Sequence, residues 1–152
     1  MNDILQSPDK RLHAVSTKVI NFDEAKKIAQ QLIDVTRGVD KPFNFWLGMA
    51  APQVGYDKRI VILRKSYQNY TVMVNPEIVD KKWFLPSVER CYSLKGMGRF
   101  LLKRYFWLRI KYQDLEGKYH EGNIVGLRAY TMQQEMDHIN GVLISDIGIR
   151  FL

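Results

Sequence analysis

Cysteine is nearly absent from this chain and histidine is scarce: 152 residues carry one cysteine and three histidines. One cysteine cannot close an internal disulfide, which excludes a disulfide-stapled secreted scaffold and leaves no disulfide partner. The same counts exclude a zinc ribbon, so any metal site has to mix the cysteine with histidines and oxygen donors. No apolar run approaches the roughly 20 residues of a membrane span. The first residues, Met1 to Pro8, hold neither a basic n-region nor an apolar core, and Asp3 and Asp9 argue against a transit peptide. The expected address is therefore the cytoplasm or a reducing organelle matrix. Repeats, low-complexity tracts and linkers are lacking too, which predicts one domain over residues 1–152.

Acidic residues are the minority: 23 Lys+Arg against 16 Asp+Glu leave a net charge of +7. The excess is spread along the chain except between Lys95 and Lys111. That stretch holds Lys95, Arg99, Lys103, Arg104, Arg109 and Lys111 with no acid, interleaved with Phe100, Tyr105, Phe106 and Trp107. Such interleaving suits an RNA or ribosome contact. A strand pair with its aromatics against the core and its cations in water is the favoured reading, and the two are compatible.

Hydrophobic periodicity predicts the elements. Asn21 caps a helix with Glu24 at the capping-box position, and Ala25, Ile28, Ala29, Leu32 and Ile33 follow at helical spacing until Gly38. Lys58 to Arg64 and Tyr70 to Val74 read as strands, the second closed by Asn75-Pro76. Trp107 to Asp114 alternates with Leu108, Ile110 and Tyr112 on one face, and Asp114 to Gly117 reads as a turn into Lys118-Tyr119-His120. A second helix is expected from about Ile124 to Ile139, stopped by Asn140-Gly141, followed by a short strand at Val142-Leu143-Ile144. Helices at both ends of a strand-rich middle give an α+β class.

The second helix carries Gln134-Glu135-Met136-Asp137-His138. Positions 134 and 138 stack on one face, the layout of H-E-x-x-H, in which two histidines hold a metal and the glutamate is the base. Here glutamine stands in the first histidine's place. Two other segments accompany it: Gly48-Met49-Ala50-Ala51-Pro52-Gln53 and Glu89-Arg90-Cys91-Tyr92-Ser93. In this order and spacing the three strongly resemble the peptide deformylases, whose motifs are G-x-G-L-A-A-x-Q, E-G-C-L-S and Q-H-E-x-D-H-x-x-G.

The resemblance implies a deformylase fold, with antiparallel or mixed strands around a central metal-site helix. It implies a hydrolase that removes the formyl group from the N-terminal formyl-methionine of nascent polypeptides. Cys91 and His138 would be metal ligands and Gln134 the third, around one divalent ion: iron or zinc, with nickel or cobalt as alternatives. Glu135 would be the general base. Gln53 and the backbone N–H of Tyr92 would stabilise the oxyanion, and Leu47, Gly48 and Leu127 would border the substrate. Glu89 and Arg104 would pair to brace the cysteine loop. His13 and His120 match no ligand position and read as ordinary histidines.

Gln134 is a weaker donor than imidazole for iron or zinc. Trp46 stands where the motif has its first glycine, and Arg90 where it has the glycine before cysteine. These departures keep a second expectation open: a relative that binds N-terminal peptides or a partner without turnover.

Overall fold

The computed structural model describes residues 3–151. Helix α1 spans Phe22–Val39, with the Asn21 side chain accepting from the Glu24 N–H. The helix runs through Gly38 and ends at Asp40, whose N–H bonds to the Thr36 carbonyl. Strand β1 is Gly48–Ala50, followed by a 3-10 turn at Ala51–Val54. Strands β2 (Ile60–Ser66), β3 (Asn69–Glu89), β4 (Arg99–Gln113) and β5 (Tyr119–Val125) follow, then helices α2 (Leu127–Ile139) and α3 (Ile144–Ile147) and strand β6 (Ile149–Phe151). The sheet order is β1-β2-β3-β4-β5 with β6 also on β4, and every strand pair is antiparallel. The only parallel pairing among the described residues is the isolated bridge Thr17–Lys58.

The Ile-Val-Ile-Leu run of β2 is continuous because both faces of that strand are covered. Ile60 and Ile62 pack with Ala25, Ile28 and Leu32 of α1. Val61 and Leu63 pack with Ala129, Met132, Met136 and Ile139 of α2, beside Leu108 and Ile110 of β4. A third cluster, Leu12, Cys91, Leu94, Phe100, Leu102, Leu143 and Ile144, packs around the cysteine loop.

Four expectations change. The strand beginning at Tyr70 does not stop at Asn75-Pro76 but continues to Glu89. Asn75 takes a left-handed φ of 51°, and the register with β4 shifts between Val74 and Glu77. Pro76, which has no N–H to give the ladder, sits inside this irregularity. The second helix begins at Leu127, since Ile124 and Val125 pair with β4 and Gly126 (φ 79°) breaks the strand from the helix. Leu143 and Ile144 form no strand: the Asp146 carboxylate accepts from the Leu143 N–H at 2.8 Å and starts α3. Arg104, counted with the water-facing cations, is buried.

Candidate metal centre and active-site cleft

Helix α2 is a polar sequence in a buried position. Glu135 and His138 are 2% and 1% exposed, and Gln133 is buried as well. Of these three, Gln133 is fully satisfied by its neighbours. Gln133 Nε2 donates to the Tyr105 carbonyl (2.7 Å) and its Oε1 accepts from the Tyr105 N–H (2.8 Å), so the helix is stitched to β4. Thr131 Oγ1 donates to the Trp46 carbonyl at 2.8 Å and fixes the approach to β1.

Gly48 makes the close approach possible. A Cβ there would stand 2.7 Å from Thr131 Cγ2 and 3.0 Å from Glu135 Cγ. The segment before it is anchored by buried Arg64, whose guanidinium reaches Asp40 and the carbonyls of Lys41, Pro42 and Asn44.

The three motif segments meet here. Cys91 Sγ lies 3.3 Å from His138 Nε2. Gln53 accepts from the Ala50 N–H through Oε1 and donates through Nε2 to Ser93 Oγ at 3.2 Å, 3.9 Å from Cys91 Sγ. The Tyr92 N–H meets no acceptor among the described residues, while the Tyr92 hydroxyl accepts from Asn44 Nδ2 at the rim. Leu47, Gly48, Leu127, Cys91, Gln134 and Glu135 all line one cleft of about 1280 Å³. Trp46, 48% exposed, also lines it, and the Arg90 side chain is exposed.

Arg104 reaches into the same region. It donates from Nε and Nη2 to the two oxygens of Glu89 (2.9 and 3.0 Å) and from Nη1 to Asp137 Oδ2 (2.6 Å). The expected Glu89–Arg104 pair is therefore present, with Asp137 as a third member that the sequence reading left without a role. Ser93, the acceptor that orients Gln53, was missed in the same way. Both stand inside quoted motifs, and that was their only signal. The remaining histidines are far from this chemistry: His120 Nε2 lies 2.7 Å from Asp114 Oδ2 and stacks on Tyr112, and His13 faces Asp146.

Burial dominates the electrostatics. It pushes the Cys91 thiol up to about 12, with the nearby carboxylates of Glu135 and Glu89 adding to the shift. It draws His138 down to about 3, helped by Arg104. It raises Glu135 well above the ordinary carboxylate value, against the pull of Arg104. Glu135 Oε2 and His138 Nδ1 are buried without a hydrogen-bond partner. A thiol, an imidazole and a carboxylate that are costly to charge alone are the groups a divalent cation would satisfy. The donors thus fit such an ion through Cys91 and His138. No group of three His, Cys, Asp or Glu side chains suited to a metal occurs among the described residues.

A helix bearing a buried Glu-x-x-His, set against a cysteine on the loop that follows β3 and lines a cleft, is the arrangement of a metal-dependent hydrolase. Comparison with known proteins gives the family. The polypeptide deformylase family model matches residues 1–148. The peptide deformylase of Chromobacterium violaceum is 36% identical over 143 residues, covering 93% of this chain and 83% of the relative. The crystal structure of a peptide deformylase from Legionella pneumophila superposes with a TM-score of 0.87 at 31% identity, covering 97% of this chain and 85% of that one. The Thermotoga maritima peptide deformylase gives 0.86 at 30% identity, covering 97% of both chains. The chain belongs to the peptide deformylase family.

Proposed function

We propose that this chain hydrolyses the formamide bond of N-terminal formyl-methionine on nascent polypeptides. The observation that carries the reading is the unpartnered Glu135 carboxylate beside the Cys91–His138 pair (3.3 Å) on the cleft floor. A divalent cation, iron or zinc and alternatively nickel or cobalt, held by Cys91 and His138 would polarise the formyl carbonyl and acidify a water molecule.

The chain's own groups do the rest. Glu135 Oε2, free of other hydrogen bonds, takes the proton of the attacking water and passes it to the leaving amine. Gln53 Nε2, aimed by its bonds to Ala50 and Ser93, and the Tyr92 N–H donate to the developing oxyanion. Leu47 and Leu127 supply apolar wall for the methionine side chain, and the Gly48 backbone borders the peptide. Trp46 and Arg90, two grounds for a relative without turnover, stand at the rim with exposed side chains, which supports turnover over binding alone. The test is formate release from formyl-methionine peptides together with metal content after anaerobic purification. Protein that loads metal and releases no formate would overturn the reading.

A contact with the ribosome belongs to the same reading. We place it on β3 and β4, where Lys81, Lys82, Lys103 and Lys111 lie over the rings of Tyr105, Trp107, Phe84 and, on β5, Tyr119. Among the described residues none of these lysines has a carboxylate partner, which leaves them free for phosphate.

A further inference from the structure

The geometry points to Gln134 as an oxygen ligand, its amide held with the nitrogen outward by Glu89 so that the carbonyl oxygen is left for the metal. Gln134 Nε2 donates to Glu89 Oε1 at 3.0 Å and to the Arg90 carbonyl at 3.3 Å. Both neighbours can only accept. Each Glu89 oxygen already accepts from Arg104, Oε1 from Nη2 and Oε2 from Nε, Oε2 also receives Ser87 Oγ–H at 2.7 Å, and a backbone carbonyl has no proton. The amide end facing them is therefore the NH₂ whichever way the side chain is drawn, and both of its hydrogens are used. The oxygen, Oε1, accepts no hydrogen bond among the described residues, and Gln134 lines the cleft with Cys91 and Glu135.

This inference rests on the metal-centre reading above and adds the atom that completes it. A ligating imidazole commonly donates its second N–H to a carboxylate, which fixes the ring. The Gln134 amide reproduces both ends of that arrangement: an N–H to Glu89 and a neutral donor on the other side. Glutamine and histidine are both neutral, so a thiolate, imidazole and amide set has the same net charge as one with two imidazoles. What changes is donor strength, since an amide oxygen is harder and weaker than imidazole nitrogen. Glu89 is then a positioning residue, and Arg104 is what holds Glu89 in place.

Cobalt(II) binding to the full chain, followed by thiolate-to-cobalt charge transfer and ligand-field bands, tests this without reference to turnover. The wild-type protein is expected to bind one equivalent with the thiolate band. Gln134→Leu should bind it roughly 10–100-fold more weakly, at least the range commanded by residues that only orient a ligand. Gln134→His should bind more tightly and shift the ligand-field bands. Glu89→Gln, whose amide can offer either end to Gln134, should move those bands and leave the thiolate band in place. Equal affinity and identical spectra for wild type and Gln134→Leu would overturn the inference. Cobalt binding by Gln134→His but not by the wild type would overturn it as well, and would leave the metal-centre reading standing. Absence of binding in both, with thermal unfolding unchanged, would sink the metal-centre reading itself.

Discussion

Arg104 grips Glu89 through two parallel hydrogen bonds of 2.9 and 3.0 Å, and the two side chains are only 5% and 8% exposed. The pair ties the strand that leads into Cys91 to the strand behind helix α2. Asp137 takes the remaining arm of the guanidinium, so one cation is shared by two acidic side chains at the back of the site. Replacing it by Met leaves buried Glu89 and half-buried Asp137 without a cation. Arg104→Met is expected to lose about 3–5 kcal/mol in denaturant unfolding. Reversing both charges of the Glu89–Arg104 pair should rescue only in part, since the new glutamate would face Asp137. An unaltered midpoint for Arg104→Met would contradict this account.

Gly48→Ala tests the close approach of β1 and α2. Its methyl would meet Thr131 Cγ2 at 2.7 Å, and the helix would have to retreat with Glu135 on it. A destabilisation of about 1–3 kcal/mol and a fall in formate release are expected. Adding Thr131→Ser removes the opposing methyl while keeping the hydroxyl that bonds the Trp46 carbonyl, and should restore part of the loss. The tight approach would be irrelevant if Gly48→Ala melted and turned over like the wild type.

Glu135→Gln separates chemistry from stability. The carboxylate is buried with one oxygen unpartnered, so a neutral amide of the same shape removes a desolvation cost. Formate release should fall by roughly 10²–10⁴-fold, the range of a lost general base, while the melting temperature stays level or rises. Retained turnover in a metal-loaded Glu135→Gln protein would remove Glu135 from the mechanism.

Asp9 gives a pH dependence with a defined sign. It caps the 3-10 turn Lys10–His13 and accepts from the backbone and guanidinium of Arg11, which hold its carboxyl at about 2 against an ordinary 3.8. A lowered value means that the native state favours the ionised form. The contribution is complete above 3.8 and vanishes as pH falls through about 2. Asp9→Asn keeps an oxygen for the Arg11 N–H and loses the charge. The melting-temperature gap between it and the wild type should be constant from neutral pH to about 4 and close below that. A gap that widened in acid would have the wrong sign. Its place at the surface, where water screens the pair, keeps the effect small.

Co-sedimentation with ribosomes probes the lysines of β3 and β4 that lie over aromatic rings. Changing Lys81, Lys82, Lys103 and Lys111 to Gln should weaken association and flatten its salt dependence by roughly one unit of slope for each phosphate no longer neutralised. Arg104, though part of the basic stretch in sequence, is engaged with Glu89 and Asp137 and is the wrong residue to neutralise. Sedimentation unchanged by the four substitutions would exclude this face.

The elements with strong local signals were legible in the chain. The Asn21 cap bonds the Glu24 N–H as its spacing requires, and the Asp114 side chain closes the turn before β5 by accepting from the Glu116 and Lys118 N–H groups. The strand through Asn75-Pro76 was not, because the local stop signal of Asn-Pro is outweighed by the ladder that β4 continues to offer through Glu89. Helix α2 was placed three residues early for a similar reason: Ile124 is apolar and fits either period until β4 pairs with it.

By itself the sequence determined the donor inventory: one cysteine, a Glu-x-x-His with its single histidine, and a glutamine where the motif has its first histidine. Those are covalent facts, and they limit the chemistry before any folding. Only the tertiary structure decided which atom each residue offers. Cys91 and His138, 47 positions apart, reach 3.3 Å because the cysteine loop packs on Phe100 and Leu102 of β4 and helix α2 bonds to the neighbouring Arg104 and Tyr105. The orientation of Gln134 follows from Glu89, and that of Glu89 from Arg104. A side-chain amide has two chemically opposite ends, and the choice between them belongs to neighbours brought near by the fold.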